Sequence, residues 1–341
     1  MASDSERPLR SWIRWLIVGI WISTALAVYI ATRLHPTTTV NLLLHTRKIS
    51  FKTNSHELLG QNDAEQLLIS GVSSLQIQFM RPQKIKIGDT WVQTTSLEAE
   101  GDAFTSCTLY RVRSRGFEVK EPAVITFEIE DISKASAFTL KSHGSLNDSL
   151  SSLPDESGLP SGIECIGLQV NGGLANTFEE HFSPDGGDTI FLSTTADTRF
   201  DMSMTKLTEI GDTQIPILGE VRLSEILPGA SEEKSVLLQP DPEITFEDVN
   251  RKVTSNAGDL LIIVPKGGFY LRQFTIKNGI QLSLHGTVRD VRAGAGANDL
   301  STLMPSAFER LNNSGRIFGA IPAIAGLLIG ILEKMGVLGK K

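Results

Sequence analysis

Between residues 37 and 292 apolar and polar side chains alternate with a period of two, and this pattern limits the possible folds more than any other feature of the chain. In VITFEIEDI, residues 124 to 132, Ile125, Phe127 and Ile129 share one face, with Thr126, Glu128 and Glu130 opposite. IQLSLHGTV at 280 to 288 repeats the pattern, as do SLQIQF at 74 to 79 and KIKI at 84 to 87. Successive side chains of a strand point to opposite faces, so these runs are half-buried strands. Asn278-Gly279 separates two such runs and predicts a hairpin, because both residue types tolerate positive φ. LLIIV at 260 to 264 is continuously apolar and suits a strand covered on both faces. Helical patterns are few: 56–71 and 246–255 read as short helices. The expected body is mainly β, an antiparallel β-sandwich or jelly-roll-like fold.

The two extremities follow another rule. Residues 15–31 read WLIVGIWISTALAVYIA, enough apolar chain to span hydrocarbon, and predict a transmembrane helix over 15–34. Trp12, Trp15, Trp21 and Tyr29 lie in or beside it, as amphipathic rings do at a membrane boundary. Arg7, Arg10 and Arg14 precede it and place the tail 1–14 in the cytoplasm. A cleaved signal peptide is the competing reading, since Ala25-Leu26-Ala27 has the form of a cleavage site. Both readings export the chain that follows. Near the other end, Ser306 and Glu309 have capping-box spacing and predict a short juxtamembrane helix over 299–314. Residues 317–332 then carry no charge, which predicts a second span over 316–338. Gly315 with Gly319, and Gly326 with Gly330, stand four apart, a spacing that lets helices pack closely in lipid. A hydrophobic helix docked on the body is the alternative. With two spans, both termini are cytoplasmic and the β body is extracytoplasmic.

Within the body, GSLNDSLSSLPDESGLPSG at 144 to 162 is rich in Ser, Pro and Gly and reads as a linker or long loop. It would separate a first β-rich unit, 37–143, from a second, 163–292. Cys107 and Cys165 lie on either side of it. In an oxidising space they would form one disulfide; two separate buried thiols fit the sequence equally well.

Chemistry is harder to find. Lys and Arg total 32 against 39 Asp and Glu, a net charge of −7, and no long basic run offers a nucleic-acid arm. None of the six histidines makes a metal-binding spacing, and neither a nucleophile elbow nor a phosphate loop is present. No cofactor is expected. SPDGGDT at 183 to 189 places Asp185 and Asp188 on a turn just after Glu179, oxygens that could hold calcium, although a solvated turn is the better reading. The sequence therefore points to a membrane-anchored, non-enzymatic protein whose body binds a partner, glycan or lipid, or scaffolds an envelope assembly. Its partners would be the lipid bilayer and a protein, or a second copy met through the C-terminal helix. An exported hydrolase acting on an envelope polymer is one alternative; a self-associating membrane effector using the Gly-rich ending is another.

Overall fold

The alternating pattern produces sheet almost throughout. A computed structural model describes residues 37–306 and Glu309, apart from 56–57, 59–60, 72, 88–89, 101–105, 131–136, 155–160, 171–172, 195–196, 205–208, 211–213, 277 and 307–308. The first strands are β1 (Thr38–Thr46), β2 (Lys48–Thr53), β3 (Asn62–Ser70), β4 (Ser74–Ile87), β5 (Thr90–Glu100) and β6 (Ser106–Ser114). A shorter group follows: β7 (Glu118–Val119), β8 (Ala123–Glu128), β9 (Ala137–His143) and β10 (Leu146–Ser152). Next come β11 (Gly162–Val170), β12 (Gly173–His181), β13 (Thr189–Ser193) and β14 (Asp197–Met204). Short strands are β15 (Glu209–Ile210), β16 (Ile215–Pro216), β17 (Val221–Arg222), β18 (Ser224–Ile226), β19 (Glu233–Ser235), β20 (Glu243–Phe246) and β21 (Arg251–Thr254). The long hairpin of β22 (Leu260–Ile276) and β23 (Ile280–Gly294) precedes β24 (Ser301–Thr302).

The pairings trace one winding antiparallel path, β22–β17–β2–β8–β9–β14–β3–β6. From β6 one branch continues to β11 and β12. The other passes through β10 and β13 to the β4–β5 hairpin. Phe127 on β8 and Phe274 on β22 show that the sheet closes on itself. Three strand spacings of about 4.8 Å separate those strands along the path, yet the rings lie 4.8 Å apart. Phe51 and Phe138 complete this aromatic cluster, at 6.0 and 6.3 Å from Phe127. The fold is thus mainly β, antiparallel and sandwich-like, with a buried face of alternate residues from many strands.

Two compact units are present. Among the described residues the larger comprises 39–245 and 252–303, and the smaller 37–38, 246–251, 304–306 and Glu309. In the smaller unit the Glu309 N–H donates to Ser306 Oγ at 3.2 Å, and the Ser306 N–H to Glu309 Oε2 at 2.7 Å. This is the reciprocal capping box, and the Ser306 N–H holds the Glu309 carboxyl below its ordinary range.

Several expectations change. The linker over 144–162 is not a seam: it contains β10, which pairs with β6 and β13, and the larger unit runs through it. Leu146, Asp148, Leu150 and Ser152 are its buried residues, so half of its inward positions are polar and the alternation is hidden. The two β-rich units, 37–143 and 163–292, are accordingly interleaved in one sheet. The helix expected over 56–71 is instead β3, and that over 246–255 is one 3-10 turn, Glu247–Val249, followed by β21. The turn stops because Asn250 takes a left-handed conformation, φ 49°. The helix expected over 299–314 begins no earlier than its cap, since 301–302 form β24. The predicted spans 15–34 and 316–338 lie outside the described residues, with Trp12, Trp15, Trp21, Tyr29, Gly315, Gly319, Gly326 and Gly330. Among the described residues no helix is long and apolar enough to cross a membrane.

Candidate binding hairpin

The β4–β5 hairpin leaves the core in two stages. At its base Ser74↔Glu100 through Gln78↔Ser96 are paired, and β13 covers the outer edge of β4 as far as Gln78. The register then jumps to Gln83↔Thr94, so four residues of β4, Phe79 to Pro82, oppose Thr95 alone. A bulge of this kind bends the ribbon and raises its twist. Pro82 fits there because it has no N–H to give a ladder. Beyond the bulge the pairs Lys84↔Gln93, Ile85↔Val92 and Lys86↔Trp91 form a ribbon that extends past the end of β13.

The acidic loop after β12 braces this bulge. Asp188 is fully buried; its Oδ1 accepts from the Met80 N–H at 2.8 Å and its Oδ2 from the Ser183 N–H at 2.5 Å. The Asp188 N–H donates in turn to Ser152 Oγ at 2.8 Å. Arg81 Nη2 donates to Asp185 Oδ2 at 2.5 Å in an exposed ion pair. Gly187, at φ 90°, lies beneath Met80: a Cβ there would sit 3.2 Å from the Met80 sulfur. The two aspartates singled out for calcium therefore hold protein groups. Glu179 is exposed on β12, in register with Glu164 of β11, and does not join them. Among the described residues no group of three His, Cys, Asp or Glu could hold a metal ion.

The ribbon presents what the core would normally hide. Trp91 is 58% exposed, Met80 65% and Val92 40%. Along β5, Leu97 is buried, and Trp91, six residues earlier on the same face, projects beyond the core edge. Lys84 places its Nζ 5.5 Å from the centre of the Trp91 ring, a cation–π contact. Sequence reasoning read KIKI as a strand and missed this cluster. A lone indole far from the other three, flanked by lysines at period two, was the available signal.

Two polar clefts lie elsewhere on the larger unit. One, of about 310 Å³, is lined by Gln66, Leu68, Glu130, Thr139, Arg199 and Asp201. Its charges are mutually satisfied: Arg199 Nε reaches both Asp201 oxygens at 2.9 Å and Nη2 reaches Glu130 at 2.8 Å. The Asp201 hydrogen bond raises the pKa of the Arg199 guanidinium. The second, of about 380 Å³, includes Gln76, Glu98, Lys120, Ser149 and Phe191 on the outer face of β4 and β10. Asp148 borders it, but strand alternation turns its carboxyl inward with Leu146 and Leu150. Burial pushes that carboxyl up to about 7, partly offset by the Ser114 hydroxyl and the Ser149 N–H. The raised Asp148 carboxyl is buried within the core, with Oδ2 held by the Ser114 hydroxyl.

Cys107 and Cys165 face each other across β6 and β11 and are joined as a disulfide. Comparison of the chain with protein families, with curated proteins and with solved structures finds no match.

Proposed function

We propose that the chain is a membrane-anchored, non-enzymatic protein whose extracytoplasmic β body binds its partner through the β4–β5 hairpin. One observation carries the reading: Trp91 stands exposed with Lys84 on its ring, on a ribbon whose bend is fixed by fully buried Asp188. An exposed aromatic on a braced element is how a binding anchor is presented, because the ordering cost has already been met by the scaffold. The Cys107–Cys165 disulfide supports an oxidising compartment for the body. The apolar runs at 15–34 and 316–338 support attachment at both ends.

Cell fractionation with an alkaline carbonate wash tests the anchoring. The full chain is expected to stay in the membrane pellet, with its body open to protease added from the extracytoplasmic side. Release of intact chain into the aqueous fraction after gentle lysis would overturn the proposal.

A further inference from the structure

We infer that the surface met by the β4–β5 ribbon is an anionic lipid bilayer, with Trp91 at headgroup depth and Lys84 beside it facing lipid phosphates. Charge complementarity is the first support. From Met80 to Gln93 the sequence carries Arg81, Lys84 and Lys86 against Asp89 alone, within a chain of net charge −7. Arg81 is already paired with Asp185, and Lys84 is exposed on the ribbon beside Trp91. The second support is the apolar content. Met80 and Trp91 are exposed on this one hairpin, and Val92 is exposed on the face opposite Trp91, whereas a site for an acidic polymer would offer hydrogen-bonding groups in their place.

Lys84 also covers one face of the indole, the kind of surface on which a sugar ring would stack. Indole and lysine together are the side chains that settle at a bilayer interface, the ring among headgroups and the ammonium at the phosphates. Reach depends on which face is free: Ile85, midway along the ribbon, is buried, so the ribbon meets a surface through the opposite face, where Lys84, Trp91 and Gln93 are exposed. Each lysine at an anionic surface is worth about fivefold in partitioning. The ribbon alone therefore binds weakly and acts by orienting a body already tethered. In this respect the inference rests on the anchored reading above.

The test uses the full chain with Trp12, Trp15 and Trp21 changed to Phe, leaving Trp91 as the only indole. The protein is reconstituted into vesicles of phosphatidylcholine, or of phosphatidylcholine with phosphatidylglycerol, some carrying brominated acyl chains. In the anionic vesicles Trp91 emission is expected to shift to the blue, to be quenched by bromine and to be shielded from acrylamide. In phosphatidylcholine alone these changes should be weaker by one to two orders of magnitude in apparent partitioning, at about fivefold per lysine. Lys84→Glu with Lys86→Glu should abolish the difference, and Lys84→Arg should retain it, which separates lost charge from lost folding. Unchanged, acrylamide-accessible emission in anionic vesicles overturns the inference. So does a shift produced by a soluble polyanionic glycan but not by vesicles. Flotation with the vesicles, read in the same samples, reports the terminal anchors: chain that floats with Trp91 still in water defeats this inference while leaving the anchoring intact.

Discussion

At the scale of single residues, Asp148 ties a sequence position to a measurable property of the fold. Its Oδ2 accepts from Ser114 Oγ at 3.0 Å, while Oδ1 is buried with no hydrogen-bond partner among the described residues. A charge there has lost its water, so burial favours the protonated form and lifts the group from its ordinary 3.8 to about 7. Between those two values the folded state holds a proton that the unfolded state has released. Stability from this group is therefore fully present below the unfolded value and is lost as pH rises through about 7. Asp148→Asn should remove this slope, changing stability little at ~pH 4 and raising it at ~pH 8 by on the order of 4 kcal/mol, at 1.36 kcal/mol per pKa unit. Urea denaturation of both proteins across that range checks it; parallel curves would show that Asp148 ionises freely in the fold. Glu128 behaves oppositely. Burial pushes it up, but Lys141 at 2.6 Å and Lys48 at 3.3 Å together outweigh burial and hold it below its ordinary range. Its contribution is present above the unfolded value and is lost as pH falls through the folded one.

At the scale of elements, turns and clean strands were legible, whereas interrupted strands were not. Asn278-Gly279 makes the β22–β23 hairpin as read, with Ile276 opposite Ile280 and both turn residues at positive φ, 52° and 130°. LLIIV is buried along Leu260 to Ile263, as its unbroken apolar run requires. β3 failed for a definable reason. Its buried positions are Asn62, Ala64, Leu67 and Ile69, because Glu65 and Gln66 are both exposed at a register irregularity. That extra residue turns a period of two into spacings of two, three and two, which imitates a helical face. β10 was hidden differently, by small polar side chains at inward positions. The β4–β5 hairpin was legible as strands, but the exposure of Trp91 was not: it depends on where β13 ends, and no local pattern records that. Gly279 offers a direct check on the turn. A Cβ there would lie 2.5 Å from His45 Nε2 and 2.8 Å from Leu238 Cδ1, on a backbone that L-residues avoid. Gly279→Ala should cost about 1–3 kcal/mol in chemical denaturation, through strain and displaced neighbours. A loss within error of zero would mean that the turn relaxes freely.

At the scale of the whole molecule, the order of strands in space departs from their order in sequence, and this determines how the larger unit must fold. β6 lies between β3 and β11, and β14 lies between β3 and β9. Every one of those neighbourhoods but β3–β6 joins chain from opposite sides of 144–162 or is completed by such a join. The Cys107–Cys165 bond crosses the same boundary. Dividing the chain there would strip β3 of β14 and β6 of β11, exposing open edges and one side of the buried aromatic face. Two halves of a two-domain protein would each retain a core, whereas interleaved halves would not. Residues 37–143 and 163–292, produced separately under oxidising conditions, are therefore expected to show no cooperative unfolding and to aggregate through their open edges. Residues 37–306 together should unfold in one transition that coincides by fluorescence and circular dichroism. A cooperative melt from either half alone would contradict the single interleaved sheet and restore the seam suggested by the Ser-rich composition. The same continuity links the hairpin to the core, since Asp188 meets Ser152 of β10 and the bulge of β4 at once. A surface that touched the ribbon would thus act on the centre of the sheet, and the body would be oriented as one piece.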